Sequence, residues 1–168
     1  GLANVEWGCV DWGDYDRDGD LDIALCGWNA GPLVSKIYRN DGGVFTDIGA
    51  ALPGVIYGTV AWADYDRDGD LDLLVAGDTG GGVRTARMYR NEGTGFVEKD
   101  VLIGVSFSYA DWGDYDNDGD LDLALMGHDG TGGLTKLYRN DRGRLRDSGL
   151  SLPGAWEGAL AWGDYDAN

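Results

Sequence analysis

The chain has 168 residues and a formal net charge of −17, with 30 acidic and 13 basic side chains. A charge this negative repels phosphate backbones and anionic lipid headgroups, so it argues against binding to nucleic acid or to an acidic membrane surface. No apolar run approaches the roughly 18 residues of a membrane-spanning helix, whereas 43% hydrophobic and 11% aromatic residues are enough to build a core.

The sequence repeats itself with a period of 50 residues. Each repeat has a tryptophan followed at the same offset by an Asp-Tyr-Asp segment: Trp12, Trp62, Trp112 and Trp162. Three complete repeats occupy residues 1–50, 51–100 and 101–150. A partial fourth repeat, residues 151–168, would hold a first strand and a truncated acidic loop. A period of this length is typical of propellers, solenoids and similar arrays.

Four short strands are predicted in each repeat. The first ends at the repeated tryptophan, and the second is a mostly apolar run, Leu21–Cys26 in the first repeat. The third ends at a Tyr-Arg-Asn tripeptide, and the fourth is a short segment around Val44–Ile48. Four antiparallel strands in about 40–50 residues match a β-propeller blade better than a β-solenoid, whose coils are usually shorter. We therefore predict an all-β fold of propeller blades, with the tryptophans packed between neighbouring blades.

An acidic loop between the first and second strands carries the strongest chemical signal. It contains five Asp in nine residues and recurs in all three complete repeats. Carboxylates at loop positions 1, 3, 5 and 9, with a Gly turn at position 6, suit Ca²⁺, which takes 6–8 oxygen ligands at about 2.3–2.6 Å. Position 7 is expected to offer its backbone carbonyl. The candidate metal residues are Asp14, Asp16, Asp18, Asp20 and Asp22; Asp64, Asp66, Asp68, Asp70 and Asp72; and Asp114, Asp116, Asp118, Asp120 and Asp122.

Two alternatives to these three calcium sites are weaker. An EF-hand has the same positions 1, 3, 5 and 6, but it needs Glu at position 12, where this chain has Leu25 inside a strand. Solvated Asp-rich turns without metal would leave three clusters of mutually repelling carboxylates. The fourth repeat keeps only Asp164, Asp166 and Asn168, so a weak or incomplete fourth site is expected there.

The motif Asp-x-Asp-x-Asp-Gly-x-x-Asp, placed between the first two strands of a blade of this length, resembles the FG-GAP or VCBS repeat. That family builds the integrin α-subunit propeller and many secreted or cell-surface proteins. The resemblance implies a propeller, seven-bladed in many members, with Ca²⁺ held by the Asp at positions 1, 3, 5 and 9. Three blades are fewer than the roughly 4–8 that close a ring. We therefore expect an open arc that belongs to a longer propeller, or a homo-oligomer in which two chains complete a ring.

These features predict a calcium-stabilised module for adhesion or ligand binding, secreted or at the cell surface, where weak calcium sites are filled. Alternatives are a lectin-like carbohydrate binder and a designed or truncated propeller that self-assembles without a native ligand. Catalysis is disfavoured, because a single histidine offers no Ser/His or Cys/His pair.

A protein or glycan ligand is expected on the face opposite the acidic loops, where loop residues differ between repeats. Its candidate residues are Trp28, Asp78 and His128. Cys9 and Cys26 fall in the first two strands, where they either form a disulfide or pack as small apolar side chains.

Overall fold

The computed structural model describes residues 1–163, and within that range it contains β-strands and no helix. The strands form two antiparallel sheets, of four and seven strands, in which consecutive strands are neighbours. The all-β prediction of an open arc of propeller blades is therefore confirmed. The incomplete fourth acidic loop, Asp164, Asp166 and Asn168, lies outside the described residues.

The two sheets make three blades. Blade 1 is the four-stranded sheet, with strands β1 (Glu6–Gly13), β2 (Asp22–Trp28), β3 (Leu33–Asp41) and β4 (Val44–Asp47). Blade 2 consists of β5 (Ile56–Ala63), β6 (Asp72–Asp78), β7 (Arg84–Asn91) and the first part of β8 (Phe96–Gly113). Blade 3 consists of the second part of β8 with β9 (Asp122–His128), β10 (Gly133–Asn140) and β11 (Leu145–Asp147).

Strand β8 replaces two strands that the sequence pattern separates. Its first part pairs with β7 as far as Val105, and its second part pairs with β9 from Ser106 onward. Between blades 1 and 2, Pro53 stands between the corresponding segments, and proline cannot donate to a strand ladder. Ile103 occupies that place between blades 2 and 3, and there the chain continues as one strand of 18 residues.

The first strand expected to end at Trp162 is not formed, because residues 151–163 contain no strand. A first strand pairs with the second strand of its own blade, and no such strand of a fourth blade is among the described residues. The segment still packs like a first strand, since the N–H of Trp162 donates to Asp111 at 3.0 Å. The N–H of Trp62 donates to Asp11 at 2.9 Å in the same way.

Apolar side chains of the central strands pack on both faces of each blade. Along β2, Ala24 and Cys26 join the core between blades 1 and 2, while Ile23 and Leu25 pack on the opposite face. Successive side chains of a strand point to opposite faces, so burial on both faces needs a continuous apolar run. This explains why the second strand of each repeat is apolar without alternation.

The repeated tryptophan packs between blades. Trp62 is 8% exposed and stacks on Tyr15 of the preceding blade, with ring centroids 6.0 Å apart and planes 6° apart. Trp112 lies against Tyr65 of the preceding blade in a tilted arrangement, with ring centroids 6.4 Å apart and planes 45° apart. Trp12, in the first blade, is 52% exposed. The predicted packing is confirmed for the two internal copies.

Cys9 and Cys26 lie directly opposite each other on β1 and β2, and both are free thiols. Burial raises the pKa of the Cys26 thiol to about 12, which suppresses its reactive thiolate. The pair therefore fits the apolar alternative.

Candidate metal centre

Each acidic loop joins the first and second strands of its blade and turns twice through left-handed backbone. At position 4, Arg17, Arg67 and Asn117 have φ of 60°, 61° and 58°. At position 6 the glycines have φ of 95°, 91° and 92°. A side chain at position 6 would be strained, so the Gly of the motif is what permits the second turn.

Carboxylates from alternate loop positions converge in each loop. Three side chains per loop offer oxygens that all lie within 4.8 Å of one another. The three trios are Asp14, Asp16 and Asp18; Asp64, Asp66 and Asp72; and Asp114, Asp116 and Asp122. Together the trios include positions 1, 3, 5 and 9 of the motif. Each trio lacks one of these four positions: Asp22 in the first loop, Asp68 in the second and Asp118 in the third.

The aspartate at position 9 is fully buried in every loop. Asp22 accepts hydrogen bonds from the N–H groups of Tyr15 and Asn40, at 3.0 and 2.8 Å, and so ties the loop to β3. Burial, and to a lesser extent the nearby carboxylate of Asp66, raise the pKa of Asp72 to about 7. A cation beside such a carboxylate would compensate for its lost hydration.

Three buried carboxylate oxygens have no hydrogen-bond partner among residues 1–163. They are Oδ1 of Asp64, Oδ2 of Asp72 and Oδ1 of Asp116, and each belongs to one of the trios. Buried polar atoms are nearly always paired, so unpartnered acceptors in an all-oxygen cluster fit a hard cation such as Ca²⁺. The loops contain no His or Cys, the ligands that transition metals would favour.

The carboxylates at position 7, which the sequence pattern included among the metal residues, make other contacts. Oδ2 of Asp20 accepts from the N–H of Gly42 at 2.7 Å, and Oδ2 of Asp120 accepts from the N–H of Arg142 at 3.1 Å. These bonds fasten the acidic loop to the turn between the third and fourth strands. With these side-chain oxygens engaged, the backbone carbonyl of position 7 is the oxygen available to a metal ion.

Arginines at position 4 link successive loops. Arg17 contacts Asp70 at 2.7 Å, and Arg67 contacts Asp120 at 3.3 Å. Both acceptors stand at position 7 of the loop that follows. The sequence analysis did not predict this contact. Its trace in the sequence is the Arg at position 4 of the first two loops, where the third loop has Asn117.

The asparagine that ends the third strand makes a second contact between blades. Nδ2 of Asn91 donates to the carbonyl of Tyr15 at 3.0 Å, and Nδ2 of Asn140 donates to the carbonyl of Tyr65 at 2.6 Å. Each carbonyl belongs to the acidic loop of the preceding blade. The sequence pattern marked this asparagine only as a strand end, so its function in joining blades was missed.

The residues predicted to face a ligand each end the second strand of a blade, at the opposite end from the acidic loop. Trp28 stacks on Trp7 with ring centroids 5.7 Å apart, and His128 meets Trp156 edge to face at 5.5 Å. Oδ1 of Asp78 accepts from a backbone N–H two residues along. These three residues are therefore held by separate local contacts on three blades.

Comparison with known proteins points to one family. No curated protein matches the chain. The family model described as "FG-GAP-like repeat" matches residues 14–75 and again residues 64–125. Each match begins at position 1 of an acidic loop and continues through the next loop, and together they cover more than half of the sequence. The chain therefore belongs to the FG-GAP-like repeat family.

Proposed function

We propose that this protein is a calcium-stabilised β-propeller module that acts in adhesion or ligand binding outside the cell and catalyses no reaction. The observation that carries the calcium part is a pair of buried acceptors in the second loop, Oδ1 of Asp64 and Oδ2 of Asp72, for which the described residues supply no hydrogen-bond donor. Their trio with Asp66 supplies only hard oxygen donors.

The carboxylates at positions 1, 3, 5 and 9 of each loop would hold the ion. Calcium supplies positive charge that offsets the repulsion among these carboxylates, and it binds the folded loop in preference to the unfolded chain. Such binding stabilises the fold by about 2.7 kcal/mol per site when free calcium is about 100 times the dissociation constant. The ion would therefore be structural.

An extracellular location is consistent with the weak, roughly 10⁻⁴–10⁻³ M, calcium affinities of extracellular modules. The described part of the chain has no helix long and apolar enough to cross a membrane. The lack of catalysis is supported by the single histidine, His128, whose Nδ1 accepts from the N–H of Gly130 in an exposed loop.

Thermal unfolding with calcium and with excess EDTA tests the proposal. Chelation should lower the Tm markedly, and calorimetric titration should count three calcium ions per chain. Asp64→Asn should weaken one of the three sites by at least about tenfold, since it removes one ligand charge. The matched control is Asp70→Asn, at position 7 of the same loop, which should keep all three sites. A melt that EDTA leaves unchanged would refute the proposal.

We also propose that the exposed face of blade 1 binds a second copy of this chain. Trp12 is exposed where its internal equivalent, Trp62, is covered by a tyrosine of the preceding blade. Val10 and Leu21 of the same blade are also exposed, which makes an apolar face that favours association. A blade placed there would repeat the contacts already present between blades 1 and 2.

Light scattering after size exclusion tests this association in calcium. The wild-type chain should elute as a dimer, and Trp12→Arg should convert it to a monomer. Val44→Arg, on the exposed outer strand β4, is the control that should remain dimeric. A wild-type monomer at every concentration would contradict the proposal.

A further inference from the structure

Three large aromatic residues occupy a strained backbone position near the start of the first strand of each blade. Trp7, Tyr57 and Phe107 have φ of 50°, 49° and 50°, in the left-handed region that bulky side chains rarely enter. At each of them the register between first and second strands shifts, which marks a β-bulge. Glu157 has φ of 56° at the same place in the fourth repeat.

These three aromatic side chains lie outside the apolar cores. Trp7 is 56% exposed, and neither Tyr57 nor Phe107 belongs to a core cluster. A bulge redirects a side chain out of the ladder, and strained positions of this kind concentrate at functional sites. The bulges therefore direct three aromatic side chains away from the cores and toward one surface.

The redirected side chains form a continuous row. Ring centroids lie 5.7 Å apart between Trp28 and Trp7, 5.9 Å between Trp7 and Tyr57, and 4.5 Å between Tyr57 and Phe107. The row borders a groove of about 320 Å³ across the first strands of all three blades, which also includes Glu157. We name it the aromatic groove. It lies at the end of the strands remote from the acidic loops.

Hydroxyl groups lie beside these rings. Ser108 borders the groove, is 4% exposed, and its Oγ has no hydrogen-bond partner among residues 1–163. The Oγ1 of Thr59 donates to the thiol sulfur of Cys9 at 3.9 Å, and Tyr109 on the same wall is exposed. A buried hydroxyl without a partner is rare and costly, so Ser108 indicates a hydrogen bond that a bound molecule or a bridging water completes.

We propose that the aromatic groove binds the pyranose rings of a neutral glycan. This inference rests on the proposed function, and it names the class of ligand and the site at which the module binds it. A pyranose has an apolar face of C–H groups that packs on aromatic rings and an equatorial belt of hydroxyls. The aromatic row and the hydroxyls of Thr59, Ser108 and Tyr109 match these two features. The net charge of −17 opposes sialylated or sulfated sugars.

An array of neutral oligosaccharides, with sialylated and sulfated counterparts and short basic peptides on the same slide, is the first experiment. Calcium-loaded wild-type protein should be retained on neutral glycans. Affinity for the best neutral glycan should fall at least tenfold in Tyr57→Ala. Val44→Ala is the control, because Val44 is exposed on the outer strand β4 of blade 1 and does not line the groove. Retention only on acidic glycans or on basic peptides would overturn the proposal.

Ser108→Ala separates binding from folding, because it removes one unpaired hydroxyl and little volume. The variant should bind the same glycan at least fivefold more weakly, with a Tm equal to or above that of the wild-type protein. Unchanged glycan affinity in both Ser108→Ala and Tyr57→Ala would overturn the groove as the site. The Tm difference between calcium and EDTA, measured on the same samples, tests the calcium module separately, so the two proposals can fail independently.

Discussion

Replacing Asn140 by alanine should destabilise the protein far more than the same change at Asn40, its equivalent in blade 1. Asn140 is fully buried, and its Nδ2 donates to the carbonyls of Tyr65 and Leu121, at 2.6 and 2.8 Å. Its Oδ1 accepts from the N–H groups of two residues of the following turn, at 2.9 and 3.0 Å. The side chain thus joins blade 3 both to its own acidic loop and to that of blade 2.

The expected loss follows from these four hydrogen bonds. At a net 0.5–1.5 kcal/mol each, Asn140→Ala should lower the free energy of unfolding by about 2–6 kcal/mol. Asn40 is half-buried near the end of β3, where its side chain donates to the carbonyl of Leu21 and accepts from the N–H of Gly43 in solvent-exposed bonds that water can replace. Its loss should be about 0.5–2 kcal/mol. The difference of about 1.5–4 kcal/mol corresponds to roughly 3–16 °C in Tm for a chain of this size.

Urea unfolding followed by tryptophan fluorescence, at one fixed calcium concentration, measures both variants. Their slopes against urea should match that of the wild-type protein, so that the midpoint shift reports stability. Equal losses in Asn140→Ala and Asn40→Ala would refute the reasoning, since only Asn140 contacts a preceding blade.

Three further changes test other contacts. Trp62→Ala should lower the free energy of unfolding in urea by about 3–5 kcal/mol, because its ring is buried between blades. Trp12→Ala should cost under about 1 kcal/mol when both variants are measured at a concentration at which the chain is monomeric, because Trp12 is exposed in the single chain. Similar losses would argue against inter-blade stacking. Arg67→Gln removes the ion pair with Asp120 and should lower the free energy of unfolding by under about 1 kcal/mol. This difference from the wild-type protein should disappear in about 1 M salt, which screens the ion pair. A difference that persists at that salt concentration would show that the Arg67 side chain stabilises the protein by packing. In EDTA, the free energy of unfolding should fall as pH rises from about 4 to about 7. The reason is that the pKa of Asp72 is about 7 in the folded protein, above its ordinary value of 3.8. Between these two values the folded state binds a proton that the unfolded state has lost, so raising the pH favours unfolding. Calcium should abolish this slope, and a rise over the same pH range in EDTA would contradict it.

Most of what lies within one repeat could be predicted from the sequence. The apolar run that forms β2, the tripeptide that ends β3, and the Asp and Gly of each acidic loop are local signals, because strand periodicity and turn geometry depend on neighbours along the chain. The convergence of Asp64 and Asp66 with Asp72 also follows from positions within one loop. The continuous strand β8 was not predicted, because the pattern separates the fourth strand of one blade from the first strand of the next in every repeat.

Apart from the packing of the repeated tryptophans, the contacts between blades were decided only by the tertiary structure. The hydrogen bond from Asn140 to Tyr65 spans 75 residues, and the ion pair from Arg67 to Asp120 spans 53. A repeat that looks the same in every copy does not say which atoms of one copy meet the next, so the sequence did not show which partners the position-7 carboxylates of Asp70 and Asp120 take. The aromatic groove also depends on the tertiary structure. A bulge at Tyr57 leaves no mark on the hydrophobic pattern of the sequence, and the aromatic rings of the groove meet only when the first strands of three blades lie side by side. The sequence by itself determined the blade and its acidic loop, and the packing of blade on blade determined what surrounds them.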